Sequence, residues 1–195
     1  MEKTKLFSCN ILTEYMSEFY TGTGDEGKTG ILSEKRLSKS DTLIDAIGSV
    51  DELNSYLGVV SFYINDKRIL DQLFKIQNDL FVIGANLASL SNGKIDKAML
   101  QEEKLKNVEQ LIELLGTEIP PLRQFVIPTG CEAAVHMHVA RSIARRAERE
   151  VVKASNEYNL DKSLISYLNR LSSLFFTAAL YLNLKNNIEE KHPTY

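Results

Sequence analysis

Three of the four prolines, Pro120, Pro121 and Pro128, crowd into one short segment, and the long stretches on either side of it contain none. Proline removes a helical hydrogen bond and clashes with the preceding turn. This distribution therefore leaves two blocks free to be helical, with one break between them. Apolar residues recur at helical spacing within those blocks. Ile44, Ile47, Leu53, Leu57 and Val60 predict a helix over about Asp41 to Tyr63. Ile69, Leu73, Ile76, Leu80, Ile83 and Leu87 predict a second over about Asp66 to Leu90, stopped by Ser91-Asn92-Gly93. A third covers about Asp96 to Leu115 and ends at Gly116. Beyond the break, Thr129 and Glu132 have the spacing of a capping box and start a fourth helix that continues to about Ala154. Asn159-Leu160-Asp161 opens a fifth, to about Asn183, apolar on most of its circumference and so central. No strand pattern is convincing outside Phe125 to Ile127. The expected class is all-α, a bundle of about five helices without internal repeat, carrying a glycine-rich N-terminal arm.

Composition excludes several functions. The chain has 195 residues, 44% of them hydrophobic, enough for one domain with its own core and too apolar for disorder. Its 23 basic residues against 26 acidic ones give a net charge of −3, which argues against a protein that coats nucleic acid. Cys9 and Cys131 lie far apart with no CxxC partner, so neither a zinc ribbon nor a disulfide framework can be built from them, and a reducing compartment is the simpler reading. The most apolar stretch, Leu174 to Leu184, is interrupted by Thr177 and Asn183 and falls short of the roughly 20 apolar residues of a membrane span. The first 19 residues contain no Arg and include Glu2, Glu14 and Glu18, unlike a secretory signal or an organelle presequence. The expected location is the cytoplasm.

Four places carry chemistry. In Tyr20-Thr-Gly-Thr-Gly-Asp-Glu-Gly-Lys-Thr-Gly30, glycines, hydroxyls and Lys28 are the ingredients of an anion cradle. The spacing is not that of a Walker A loop, and a flexible turn is the competing reading. On helix four, Arg141, Arg145 and Glu148 fall within about 60° of one another with His138 beside them, while Val135, Val139 and Ile143 take the other side. They form either a solvated face laced by ion pairs or a set of guanidinium forks for a polyphosphate. On helix five, Asn169 sits in an apolar run with Ser173 and Phe176 on its face, and needs either partner helices or a ligand or metal to satisfy its amide. Asp51 is an exposed acid or half of an arginine pair. His136 and His138, two residues apart, face different ways and cannot form a zinc pair; they read as packing or solvent residues.

Six segments in order resemble one family, the ATP:corrinoid adenosyltransferases of the propanediol-utilisation type. They are Tyr20 to Gly30, Leu37-Ser-Lys-Ser-Asp41, Gly48-Ser-Val-Asp-Glu-Leu-Asn-Ser55, Phe125-Val-Ile-Pro-Thr-Gly130, His138 to Arg149 and Leu168-Asn-Arg-Leu-Ser172. The resemblance implies a ferritin-like up-down five-helix domain over residues 20–184, with 1–19 an N-terminal extension and 185–195 a tail. It implies a homotrimer with ATP between subunits, and the reaction: cob(I)alamin attacks the 5′-carbon of ATP, giving adenosylcobalamin and triphosphate, with Mg²⁺ accompanying ATP. A corrinoid reductase and an adenosylcobalamin-dependent enzyme are the implied partners, with no nucleic acid and no membrane.

The resemblance also carries roles over, position by position. Thr21, Gly22, Thr23, Gly24, Asp25, Gly27, Lys28 and Thr29 look like the phosphate-wrapping loop, and Lys39 like a further phosphate contact. Arg145 resembles the triphosphate arginine, Glu148 the acid near the nucleoside, and Asn169 the asparagine near the phosphates and Mg²⁺. Arg141 and Asp51 look like an inter-subunit ion pair, and Phe125 like the aromatic that occupies the lower face of the corrinoid and displaces its axial base, with Phe176 lining the same pocket. The sequence departs from the family's pattern at Gly22, Val82, Thr129 and Ser173. The departures at Val82 and Ser173 motivate a second reading, a non-catalytic protein that binds ATP or corrinoid and escorts the cofactor.

Overall fold

A computed structural model of the chain describes residues 20, 22–31, 36–90 and 100–194. Among the described residues five helices carry the fold: α1 Thr42–Phe62, α2 Lys67–Ser89, α3 Glu102–Gly116, α4 Glu132–Ala154 and α5 Lys162–Lys185. A small antiparallel sheet precedes them, β1 Lys28–Gly30 on β2 Arg36–Ser38, with Thr29 opposite Leu37. The all-α expectation holds, but the one segment with a strand pattern, Phe125 to Ile127, is irregular, and the end of the glycine-rich segment is a strand instead of a loop. Three-residue strands are too short for an alternating pattern to show.

Local signals place the helix starts. Asp41, Asp66 and Asp161 each stand in extended conformation before a helix and accept the backbone N–H two residues on, from Leu43, Arg68 and Ser163. α4 is the exception. Its N-cap is Cys131, which makes no side-chain cap, and Thr129 donates its hydroxyl to the Ile127 carbonyl, so the expected capping box does not form. The remote Asn183 supplies the cap: its Oδ1 accepts the Cys131 N–H at 3.0 Å and its Nδ2 donates to the Thr129 carbonyl at 3.0 Å. Gly130, at φ +132°, allows that approach, because a Cβ there would sit 1.8 Å from Asn183 Oδ1. α3 begins at Glu102, later than expected; Asp96 lies outside the described residues.

α4 packs against both α1 and α5, α2 against α1, and α3 against α5. Its buried stripe is mostly alanine, Ala133, Ala134, Ala140, Ala144, Ala147 and Ala154, with Met137 and Val151. Small side chains let the neighbouring helices approach closely, whereas Val135 and Val139 are exposed. α5 is buried over most of its circumference, as its composition predicts. Asp79 closes the bundle by joining three helices: it is buried, accepts from Tyr167 Oη of α5 at 2.7 Å and pairs with Lys104 of α3. Burial, and then the Asp79 carboxylate, push the Tyr167 phenol far up. No helix among the described residues is long and apolar enough to cross a membrane.

Candidate functional site

The chain assembles the sequence-predicted residues as three groups, two of them along α4. The first is a cleft of about 330 Å³ at the N-terminal half of α4, lined by Leu122, Phe125, Val126, Pro128, Arg141 and Phe176 together with Gln124 and His138. It brings together Phe125 from the proline-bearing loop, Arg141 from α4 and Phe176 from α5, three residues far apart in sequence. The Phe125 side chain is 80% exposed, so a large apolar ring stands at the cleft mouth, open to a ligand.

His138, which the sequence assigns to packing or solvent, belongs to this cleft. It is 3% exposed, its ring centre lies 6.1 Å from that of Phe176, and neither ring nitrogen has a hydrogen-bond partner. Burial, with Arg141 adding to it, holds its pKa below the usual histidine value, so the imidazole stays neutral. The charge lining the cleft is therefore that of Arg141, whose Nε is also buried without a partner. Orphaned buried polar atoms on two residues that line one cavity call for a partner such as a ligand, a water or a second chain. Helical spacing sets His138 beside Arg141, as the sequence predicts, but its burial in the cleft comes from residues on other elements and is not legible there. His136 does pack, hydrogen-bonding Tyr56 at 2.8 Å and stacking on Tyr63.

The second group lies two turns further along α4. Asn169 Nδ2 donates to Glu148 Oε1 at 2.9 Å, so partner-helix bonding satisfies the amide and at the same time joins two predicted site residues. Arg145, one turn before Glu148, is exposed and available to an anion. Asp51 on α1 is exposed; the intrachain ion pair of this face joins its neighbour Glu52 to Arg146, not Asp51 to Arg141. A pair between subunits needs a second copy of the chain.

The third group is the arm, described from Gly22 except for residues 32–35; Thr21 lies outside the described residues. Gly22 and Gly27 have φ of +67° and +76°, and turns at Gly22–Asp25 and Gly24–Gly27 coil the segment. The left-handed backbone at Gly22 is a conformation that favours glycine there. The Lys39 N–H donates to the Gly27 carbonyl at 2.8 Å, and its ammonium lies over Gly24, 3.3 Å from where a Cβ would be. Arg36, which the sequence reading passed over, donates to the carbonyls of Thr23 and Lys28 and ties the turn to β2. Thr29 is half-buried on β1, and Asp25 is exposed. Arg36 and Lys39 thus bring positive charge against one glycine turn that itself carries Asp25 and Glu26, with Lys28 exposed at its end. Leu37, buried in the core, and Asp41, which accepts from Tyr158 at 2.9 Å, anchor the arm to the bundle. Burial, then that carboxylate, push the Tyr158 phenol up to about 12.

A family profile described as cobalamin adenosyltransferase matches residues 19–182. The chain belongs to that family. It is 35% identical over 175 residues to the corrinoid adenosyltransferase of Bacillus subtilis, covering 88% of this chain and 89% of the relative. It is 37% identical over 161 residues to the corrinoid adenosyltransferase PduO of Salmonella typhimurium, covering 82% of this chain and 48% of that longer protein. A variant PduO-type ATP:corrinoid adenosyltransferase from Lactobacillus reuteri, complexed with cobalamin and ATP, superposes with a TM-score of 0.84 at 32% identity, covering 91% of this chain and 99% of that one. Membership of the cobalamin adenosyltransferases gives the three groups a common context: an apolar cleft at one end of α4, an arginine and a carboxylate along it, and a glycine turn with basic residues against it.

Proposed function

We propose that the chain transfers the 5′-deoxyadenosyl group of ATP to the cobalt of cob(I)alamin, forming adenosylcobalamin and inorganic triphosphate. The observation that carries the reading is the joint presence of the cleft holding Phe125, Arg141 and Phe176 and, along the same helix, Arg145 with the bonded Glu148–Asn169 pair. In the reaction cobalt donates an electron pair to the 5′-carbon, and the carbon–oxygen pair leaves with triphosphate. The nucleophile belongs to the substrate, so the protein's work is to align two substrates and stabilise the leaving charge. Arg145, Lys28, Lys39 and the coiled arm of Gly22, Thr23, Gly24, Asp25, Gly27 and Thr29, whose Asp25 and Gly27 N–H groups close its turns, are assigned to the triphosphate, because charge-assisted bonds are about twice as strong as neutral ones.

Glu148 and Asn169 serve the nucleotide end. Among the described residues no cluster of acids, histidines and cysteines could cage a metal. Mg²⁺ is read as accompanying ATP, with the Asn169 amide oxygen near it and the ion neutralising phosphate charge, while Glu148 is assigned to the nucleoside. Phe125 and Phe176 are assigned to the corrinoid, Phe125 against its lower face. Removing the lower ligand eases reduction of cobalt to the nucleophilic state.

A homotrimer with the site between subunits is part of the proposal, supported by the unpartnered Arg141 Nε and the exposed Asp51, Val135 and Val139. So are a corrinoid reductase, an adenosylcobalamin-dependent enzyme and a cytoplasmic setting; the free Cys131 thiol suits a reducing one.

Incubation with ATP, Mg²⁺ and chemically reduced cobalamin should change the corrinoid spectrum and release triphosphate. Folded protein that binds both ligands and yields neither product would favour the escort reading and overturn this one. Within the assay, Phe125→Ala should slow adenosylation of cobalamin by about tenfold or more, as the loss of a positioned contact does, and affect a corrinoid lacking the lower base much less. Parallel rates on the two corrinoids check this.

A further inference from the structure

The segment that follows α5 turns back onto the loop that carries Phe125. Asn186 ends the helix, Asn187 takes φ 55°, and the Ile188 N–H donates to the Asn183 carbonyl at 2.9 Å. Beyond that turn the chain runs beside residues 125–131. The Ile127 N–H donates to the Lys191 carbonyl at 2.7 Å, and His192 Nδ1 donates to the Phe125 carbonyl at 2.8 Å. Asn183, 1% exposed, extends the series: it donates to the Thr129 carbonyl and to Glu190 Oε1, both at 3.0 Å, and accepts from the Cys131 N–H. Every second residue of the loop, 125, 127, 129 and 131, is thus fastened to the C-terminal segment or to its root.

The loop has little else to hold it. The 330 Å³ cleft lies on one side, and just before the loop a second cleft of about 750 Å³, lined by Pro120, Pro121, Leu180, Leu184 and Ile188 among others, separates residues 119–124 from the C-terminal segment. With one cleft beside it, a second at its N-terminal end and Phe125, Ile127 and Pro128 exposed, packing holds this backbone weakly. Hydrogen bonds fix it.

We propose that residues 188–192 are a strap that positions the corrinoid-facing loop, and that His192 is a positioning residue that aims Phe125. The inference rests on the reading of Phe125 given above and extends it to a residue that touches no substrate. A carbonyl only accepts, so His192 must carry its proton on Nδ1 whether the ring is neutral or charged. An asparagine at 192 places an amide N–H the same number of bonds from the backbone and can replace that donor.

The test compares wild type, His192→Ala, His192→Asn and Phe125→Ala on cobalamin and on a corrinoid lacking the lower base. His192→Ala should lower kcat on cobalamin about three- to tenfold, the worth of one neutral hydrogen bond, with KM for ATP unchanged and the rate on the base-free corrinoid near wild type. The absorbance spectrum of bound cob(II)alamin should show a smaller fraction with its base displaced, and His192→Asn should restore both rate and spectrum. Equal losses on both corrinoids, or no loss, would overturn the strap's role, as would an Asn variant as slow as the Ala one. If Phe125→Ala discriminates between the corrinoids and His192→Ala does not, the strap fails and the reading of Phe125 stands. If Phe125→Ala slows both alike, that reading fails and takes the strap with it.

Discussion

Arg145 and Gly130 matter for opposite reasons, one for what its side chain can hold and the other for having none. Arg145 is exposed on α4 within a turn of Glu148, so Arg145→Ala should leave the fold intact and lower kcat/KM by about 10²-fold or more, as removal of a donor to developing charge does. A surface arginine such as Arg149 gives the control: if both alanine variants match wild type, the arginine face is structural. Gly130→Ala attacks the loop–helix junction. A Cβ would collide with Asn183, and φ +132° is strained for any L side chain, so the variant should lose about 1–3 kcal/mol of stability in urea unfolding. The cost should shrink in an Asn183→Ala background, because the two residues are in contact and their effects are not additive. Arg145 could be singled out from the sequence because Arg145 and Glu148 share one helix face. Asn183 could not, since it acts on residues some 50 positions away; His138 could be set beside that face, but its place in the cleft comes from Phe125 and Phe176 on other elements.

At the scale of helices, what was legible was what is local. The caps at Asp41, Asp66 and Asp161 are written into the residues beside them, and the structure follows them. Thr129 carries an equally good local signal, and there the remote amide of Asn183 displaces it. Asp66 shows how much a local cap can gather: it accepts from the Arg68 N–H at 2.9 Å, from the Arg68 guanidinium at 2.8 Å and from Tyr181 Oη at 3.0 Å. Those bonds, the guanidinium's first, hold its carboxyl down at about 2 despite partial burial. A carboxyl held below its unfolded value stabilises the fold fully above about pH 4. That contribution drains away as the pH falls toward about 2. Asp66→Ala should therefore cost about 1 kcal/mol at pH 7, typical of a lost cap. The deficit should narrow in unfolding curves taken from pH 4 down to pH 2.

For the whole molecule, the proposed assembly makes another copy of the chain the decisive partner. Asp51 and Arg141 have no bond to each other within one chain, yet the family resemblance pairs them across subunits. Asp51→Arg should weaken assembly and lower activity about tenfold or more, the scale of one buried charge left without its partner. The added exchange Arg141→Asp should recover part of both. Sedimentation and the adenosylation assay read the two effects, and a double variant no better than the single one would contradict the pairing. This level was the least legible in the residues alone: helix periodicity reports which face is buried, and it counts a face covered by a neighbouring chain as solvent. Val135 and Val139 show the ambiguity, being apolar, regularly spaced and exposed.

The alanine stripe of α4 has a mechanical consequence. With methyl groups seated against α1 and α5 the helices lie close together, and α4 can act as a ruler for the residues it carries. From His138 in the cleft to Arg145 is seven residues, about 10.5 Å along the axis, and Glu148 is the next turn on. Adding one residue to that span would shift everything beyond it by about 1.5 Å and swing it through about 100°, carrying the arginine off the line along which a carbon must be approached from one side as its phosphate departs from the other. The spacing of a few side chains along one helix would thus set the direction of the bond being made.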